Sequence, residues 1–238
     1  MSKQNIRNHS LLLILTIVWL CSCSQGSTTK PEKTVAKPKV KASIKDNKPL
    51  QKSDLEKHIY SDTTYSSSSG KGITIQNSLP KGGSIEPSGQ QYVDATGKRH
   101  AFAAFWTRIV NETNSPLTIS INFPADSFAI FTPPDSYLKL FLPTDNWAYE
   151  NLSLYNYGLT GLKAFLDAHF NKATTLKKTI NPNEEHTFYV AALSYQAIGT
   201  PRAALIIKDQ DLYYKMSISP NGSGVIPVGK ITFNDNHQ

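Results

Sequence analysis

Hydrophobic and polar positions along this chain fall into three textures. Residues 11–20 are an unbroken apolar run. Residues 24–60 hold few apolar positions, with Pro31, Pro38 and Pro49 spread among lysines and no sustained period. From Gly72 onward, short apolar or alternating runs are separated by turn residues. Residues 117–123, LTISINF, alternate with period two, as a strand with one buried face should. Further strands are expected at 73–79, 91–94, 101–110, 128–131, 137–142, 187–195, 203–207, 212–218 and 231–233. Turns are expected at 95–98 and 111–116, with a tight hairpin connection at 208–211.

One stretch departs from this texture. Leu162, Phe165, Leu166, His169 and Phe170 recur at helical spacing, with Thr160 placed to cap them and Asp167 on the other face. The spacing predicts one short helix near 160–170. Many strands at short intervals, without repeats or strand–helix alternation, predict a mainly β fold: an antiparallel β-sandwich, immunoglobulin-like in outline. The cysteine pair of antibody domains is absent, so that likeness is architectural. Aromatic residues make up 10% of the chain, with 11 Tyr and 10 Phe, which suits strands.

The amino terminus changes the picture. Lys3 and Arg7 precede the apolar run, which is about half the roughly 20 residues a membrane-spanning helix needs. The run ends in Leu20-Cys21-Ser22-Cys23. This resembles the lipobox of bacterial lipoproteins, an aliphatic residue and two small ones ahead of the cysteine that receives lipid. Cys21 does not fit the pattern, because Val18-Trp19-Leu20 puts large residues ahead of it. The resemblance implies a signal peptide over 1–22, cleavage before Cys23, and acylation of Cys23 with more than one chain, which anchors stably. Ser24-Gln25 carries no Asp beside the cysteine. Within the same resemblance, that implies the outer membrane, on its periplasmic face.

Charge is then located. The net +7 comprises +2 from Lys3 and Arg7, and +6 from residues 24–52, where eight lysines oppose Glu32 and Asp46. Residues 53–238 therefore sum to −1. A neutral domain without a basic patch of its own argues against nucleic acid as a partner. Residues 23–70 read as a lipid-anchored, Lys/Pro/Ser-rich disordered tether, and 71–238 as the β-sandwich domain.

Candidate chemistry is sparse. Both cysteines lie in the leader, so the domain holds no disulfide or thiolate nucleophile. His100, His169 and His186 are the domain's histidines, none at metal-motif spacing. There is no G-x-S-x-G elbow, phosphate loop or dinucleotide fingerprint. Glu184-Glu185 follows Asn181-Pro182-Asn183 and suits a solvated turn better than a catalytic dyad. The expectation is a protein without catalytic residues, metal or cofactor. The richest stretch is residues 143–158, PTDNWAYENLSLYNYG, with Trp147, Tyr149, Tyr155 and Tyr157 among polar side chains. Such rings dominate protein interfaces and also stack on sugars. They are the expected surface for another envelope protein or, as the alternative, for a glycan or cell-wall polymer. The same rings could instead close the end of the sandwich beneath a long loop.

Overall fold

The computed structural model describes residues 52–66, 72–129, 136–196, 199–219 and 222–233. The leader, Cys23, residues 24–51 of the expected tether and the turn at 131–135 lie outside them. In chain order the elements are α1 (Lys52–Leu55), β1 (Ile59–Ser66), β2 (Gly72–Ser78), β3 (Lys81–Gly83), β4 (Tyr92–Val93), β5 (Arg99–Asn111), β6 (Leu117–Phe123) and β7 (Tyr137–Phe141). They continue with α2 (Leu162–His169), β8 (Thr174–Ile180), β9 (Glu185–Tyr195), β10 (Thr200–Lys208), β11 (Asp211–Ser219) and β12 (Gly222–Phe233).

Two antiparallel sheets pack face to face, as the strand spacing predicts. The first runs β1-β2-β5-β9-β7, with β3 and β4 pairing other parts of β5; the second runs β10-β11-β12-β6-β8. The alternation in β6 turns Leu117, Ile119, Ile121 and Phe123 inward, each nearly inaccessible. They meet Phe105 and Ile109 of β5, Val190 of β9, and Tyr214 and Met216 of β11 in one core between the sheets. Gly229 of β12 lies so near β6 that a Cβ there would come within 1.8 Å of the Ser120 carbonyl oxygen. That close approach admits only glycine.

Buried amides finish the sandwich. Asn77 Oδ1 on β2 accepts from Leu205 N on β10 at 2.8 Å, and its Nδ2 donates to Leu205 O at 3.3 Å. One side chain thus stands in for a missing strand along the outer edge of β10. Beside it, Tyr65 Oη accepts from Ile207 N at 3.1 Å. At the far end, Asn111 donates to Ser115 O and Ile180 O and accepts from Thr113, tying β5 to the start of β6 and the end of β8.

Two strands lie where the sequence reading placed none. β1 falls inside the stretch 23–70 read as tether, so the folded part reaches back past residue 71. Its sequence, IYSDTTYS, buries little because β1 is an edge strand paired only with β2. β8, TTLKKTI, is likewise an edge strand, paired only with β6. Polar edge strands lack the apolar alternation that marks interior ones. The helix forms as spaced, but Gly161, at φ 62°, takes the N-cap position expected for Thr160, and no side chain caps it.

Candidate functional site

The first sheet is buried on both faces, which sets where any site can lie. Outward-facing Phe102, Ala104 and Trp106 of β5 pair across the ladder with Leu193, Ala191 and Tyr189 of β9. This second apolar face is covered by the chain itself: Leu152, Tyr157, Leu159, and Leu162 and Leu166 of α2. The cover is locked by consecutive left-handed residues, Asn156 (φ 47°) and Tyr157 (φ 58°), which turn the Tyr157 ring inward. Tyr157 Oη donates to Leu79 O at 2.7 Å, and Tyr189 Oη donates to Tyr157 O at 2.8 Å. Lys81 Nζ lies 4.4 Å from the Tyr157 ring centre and donates to Leu154 O at 2.8 Å. Burial pushes the Tyr157 hydroxyl up to about 12.

The four rings of the expected surface therefore separate. Tyr157 is 0% exposed and belongs to this second core, so it is not a docking residue. Trp147 and Tyr149 are half-buried against the same core, with Trp147 6.0 Å from Trp106 and 4.6 Å from Tyr149 between ring centres. Tyr155 alone of the four is exposed. The reason is local: two left-handed residues after Tyr155 reverse the chain, so neighbours two apart face opposite ways.

Two grooves flank this cover. The first, about 710 Å³, lies between β8 and β9 and is walled by residues 142–150. Trp147, Tyr149, Asp145 and Glu150 line one side, and Lys178 and His186 the other. Glu185 pairs with Arg108 of β5 and accepts from Tyr149 Oη at 2.6 Å. Burial and then this carboxylate push the Tyr149 hydroxyl up to about 12. Trp147 Nε1 and His186 Nε2 are buried without a hydrogen-bond partner. The second groove, about 740 Å³, is lined by Ile85, Pro87, Leu159 and Leu162, with Leu154 and Tyr155 on it. Leu154 is 49% and Tyr155 37% exposed, an adjacent apolar pair left in solvent on an otherwise closed layer.

A cluster that sequence spacing does not reveal surrounds His100. Its ring is enclosed by Tyr92, Tyr137, Tyr195 and Phe170. His100 Nδ1 lies 3.0 Å from Lys98 O and Nε2 3.0 Å from Tyr137 Oη. Asp94 Oδ1 accepts from Thr96 N, the Thr96 hydroxyl and Lys98 N, and its Oδ2 is 3.9 Å from His100 Nε2. These residues sit on four separate segments, so only pairing of β4, β5, β7 and β9 unites them. Among the described residues, no three His, Cys, Asp or Glu gather to hold a metal ion.

Burial lowers the pKa of His100, with Asp94 opposing, and lowers that of His186, with Lys178 adding to it. The folded chain therefore binds fewer protons than the unfolded one as pH falls through 6.5, the ordinary histidine value. Stability present above that pH is lost below it. Thermal unfolding followed from pH 7.5 to 5.5 should show a falling midpoint, shallower in His100→Gln; a flat profile contradicts it. No known protein family and no curated protein matches this chain.

Proposed function

We propose that this chain is a lipid-anchored envelope protein without catalytic activity that docks another envelope protein. In this reading acyl chains on Cys23 hold it at the periplasmic face of the outer membrane. The lysine-rich residues 24–51 serve as tether, and the sandwich presents the docking surface. The observation that carries the reading is the Leu154–Tyr155 pair, exposed on an apolar groove while the neighbouring Tyr157 is withdrawn. A partner of matching chemistry inserts an apolar side chain between Pro87 and Leu162. Tyrosine beside an apolar cleft is the side chain most often found to dominate such contacts.

The test is in-cell crosslinking of tagged chain followed by mass spectrometry, with Cys23→Ala as the unanchored control. One dominant envelope protein is expected. Its recovery falls at least ~10-fold in the double variant Leu154→Ser, Tyr155→Ala, since truncating a hot spot costs about 2 kcal/mol or more of binding. Thermal unfolding of that variant stays within about 0.5 kcal/mol of the parent, because both side chains are exposed. An unchanged crosslink pattern in the double variant overturns the assignment.

A further inference from the structure

We propose that the free flank of β9 takes an extended, basic peptide segment of a protein partner as an added strand. This site is distinct from the Leu154–Tyr155 groove and does not depend on it. It follows from how the first sheet ends. β7 pairs β9 only from Tyr137↔Tyr195 to Phe141↔Ala191. Two residues later comes Pro143, which in continued register would face Tyr189. Proline has no N–H to continue a ladder, so β7 stops there. Residues 185–190 of β9 then pair β5 on one side and no strand on the other.

The hydrogen-bond phase identifies the free groups. Asn111 N donates to Glu184 O at 2.9 Å. Antiparallel pairs alternate, so the backbone groups of His186 and Phe188 face β5. Those of Glu185, Thr187 and Tyr189 face away from it, toward the 710 Å³ groove. The groove is lined by the four consecutive residues Glu185, His186, Thr187 and Phe188. Successive side chains point to opposite faces of a sheet, so a groove touching all four runs along the edge of the strand rather than over a face. The free stretch spans about 20 Å at roughly 3.3 Å per residue. Leu142 N, donating to Thr174 Oγ1 at 3.0 Å, marks one end, and the Tyr149–Glu185 bond marks the other.

What fits is read from repeat and charge. Unpaired N–H and C=O groups at every second residue are satisfied in series by a backbone of the same repeat, which is what strand addition supplies. The opposing wall, β8, carries Lys177 and Lys178, a common guard against pairing at an edge, which leaves β9 as the template. Asp145, Glu150 and Glu185 line the groove against the single ammonium of Lys178. The surplus of carboxylates selects a peptide bearing Lys or Arg.

The probe is a short fluorescein-labelled peptide alternating Lys with Val and Thr, titrated against the full chain by anisotropy. It should bind at least ~10-fold tighter than the same peptide with Glu in place of Lys, and the preference should shrink with salt. Two versions N-methylated at alternate amides, in opposite phase, should differ at least ~10-fold, because only one phase keeps its donors toward β9. Thr187→Pro should remove binding by a similar factor without lowering the unfolding midpoint, as its N–H faces the groove. Asp145→Lys with Glu150→Lys should abolish the Lys preference, whereas Leu154→Ser, Tyr155→Ala should leave peptide binding intact. That last arm separates failure here from failure of the docking reading. If Thr187→Pro unfolds the chain, the methylated pair decides on its own. Equal affinity of the two phases, equal affinity of Lys and Glu peptides, or competition by soluble oligosaccharide instead of peptide overturns the proposal.

Discussion

Replacing Trp106 by alanine destabilises the chain by about 3–5 kcal/mol, the range for removing a fully buried aromatic side chain. Trp106 is 0% exposed and stands at the centre of the outer core, in ring contact with Trp147 and Tyr157. Its removal opens a cavity beneath the cover formed by residues 147–166. That cover is pinned by the inserted Tyr157 and by Lys81, so it cannot simply collapse inward. Trp106→Phe should cost far less. The indole Nε1 has no hydrogen-bond partner to lose, and the phenyl ring refills most of the volume. Urea unfolding of the two variants beside the parent measures both. Equal midpoints for alanine and parent would mean that the outer layer is not part of the cooperative unit.

Asn77→Leu should cost about 3 kcal/mol, for the opposite physical reason. Leucine fills the volume but cannot replace the amide. Asn77 is 3% exposed, and its Oδ1 receives both Leu205 N and the Thr107 hydroxyl, the latter at 3.0 Å. Without it, the Leu205 N–H and C=O are left buried and unpaired, at roughly 1–3 kcal/mol for each such group. Asn77→Asp tests the division of labour: the acceptor survives, the donor is lost, and a buried charge is added. It should be no more stable than the leucine variant. If Asn77→Leu matches the parent in urea, the edge of β10 finds its partners elsewhere, and the side-chain closure of the sandwich is wrong.

These two residues differ in how visible they are in the sequence. Trp106 lies in the long apolar run 101–110, and a run without alternation is itself the signature of a strand buried on both faces. Asn77 closes what reads as an ordinary strand at 73–79. Nothing local marks it as the partner of Leu205, because the bond spans 128 positions.

The same division holds across the fold and the candidate sites. Period-two alternation identifies β6, apolar runs identify β5, β9 and β11, and helical spacing identifies α2. In each, the residue's own side chain carries the burial that defines the element. β1 and β8 are polar edge strands whose existence depends on neighbours that supply hydrogen bonds to one side only, so their composition is that of a loop. The stretch with Trp147, Tyr149, Tyr155 and Tyr157 is legible as the aromatic-rich segment of the domain. Which ring faces solvent is not, because that choice rests on the left-handed pair at Asn156 and Tyr157 and on bonds to Leu79 and Tyr189 from elsewhere in the chain. The free flank of β9 is written in part by Pro143, which ends β7, but it becomes an edge only when β7, β8 and β9 are placed around it. The sequence alone determined the strand-rich class, the single helix and the absence of an enzyme motif, since these depend on local period and residue type. The tertiary structure alone decided the two-sided burial of the first sheet, the closure by Asn77 and the separation of the four rings, since each requires partners far apart along the chain.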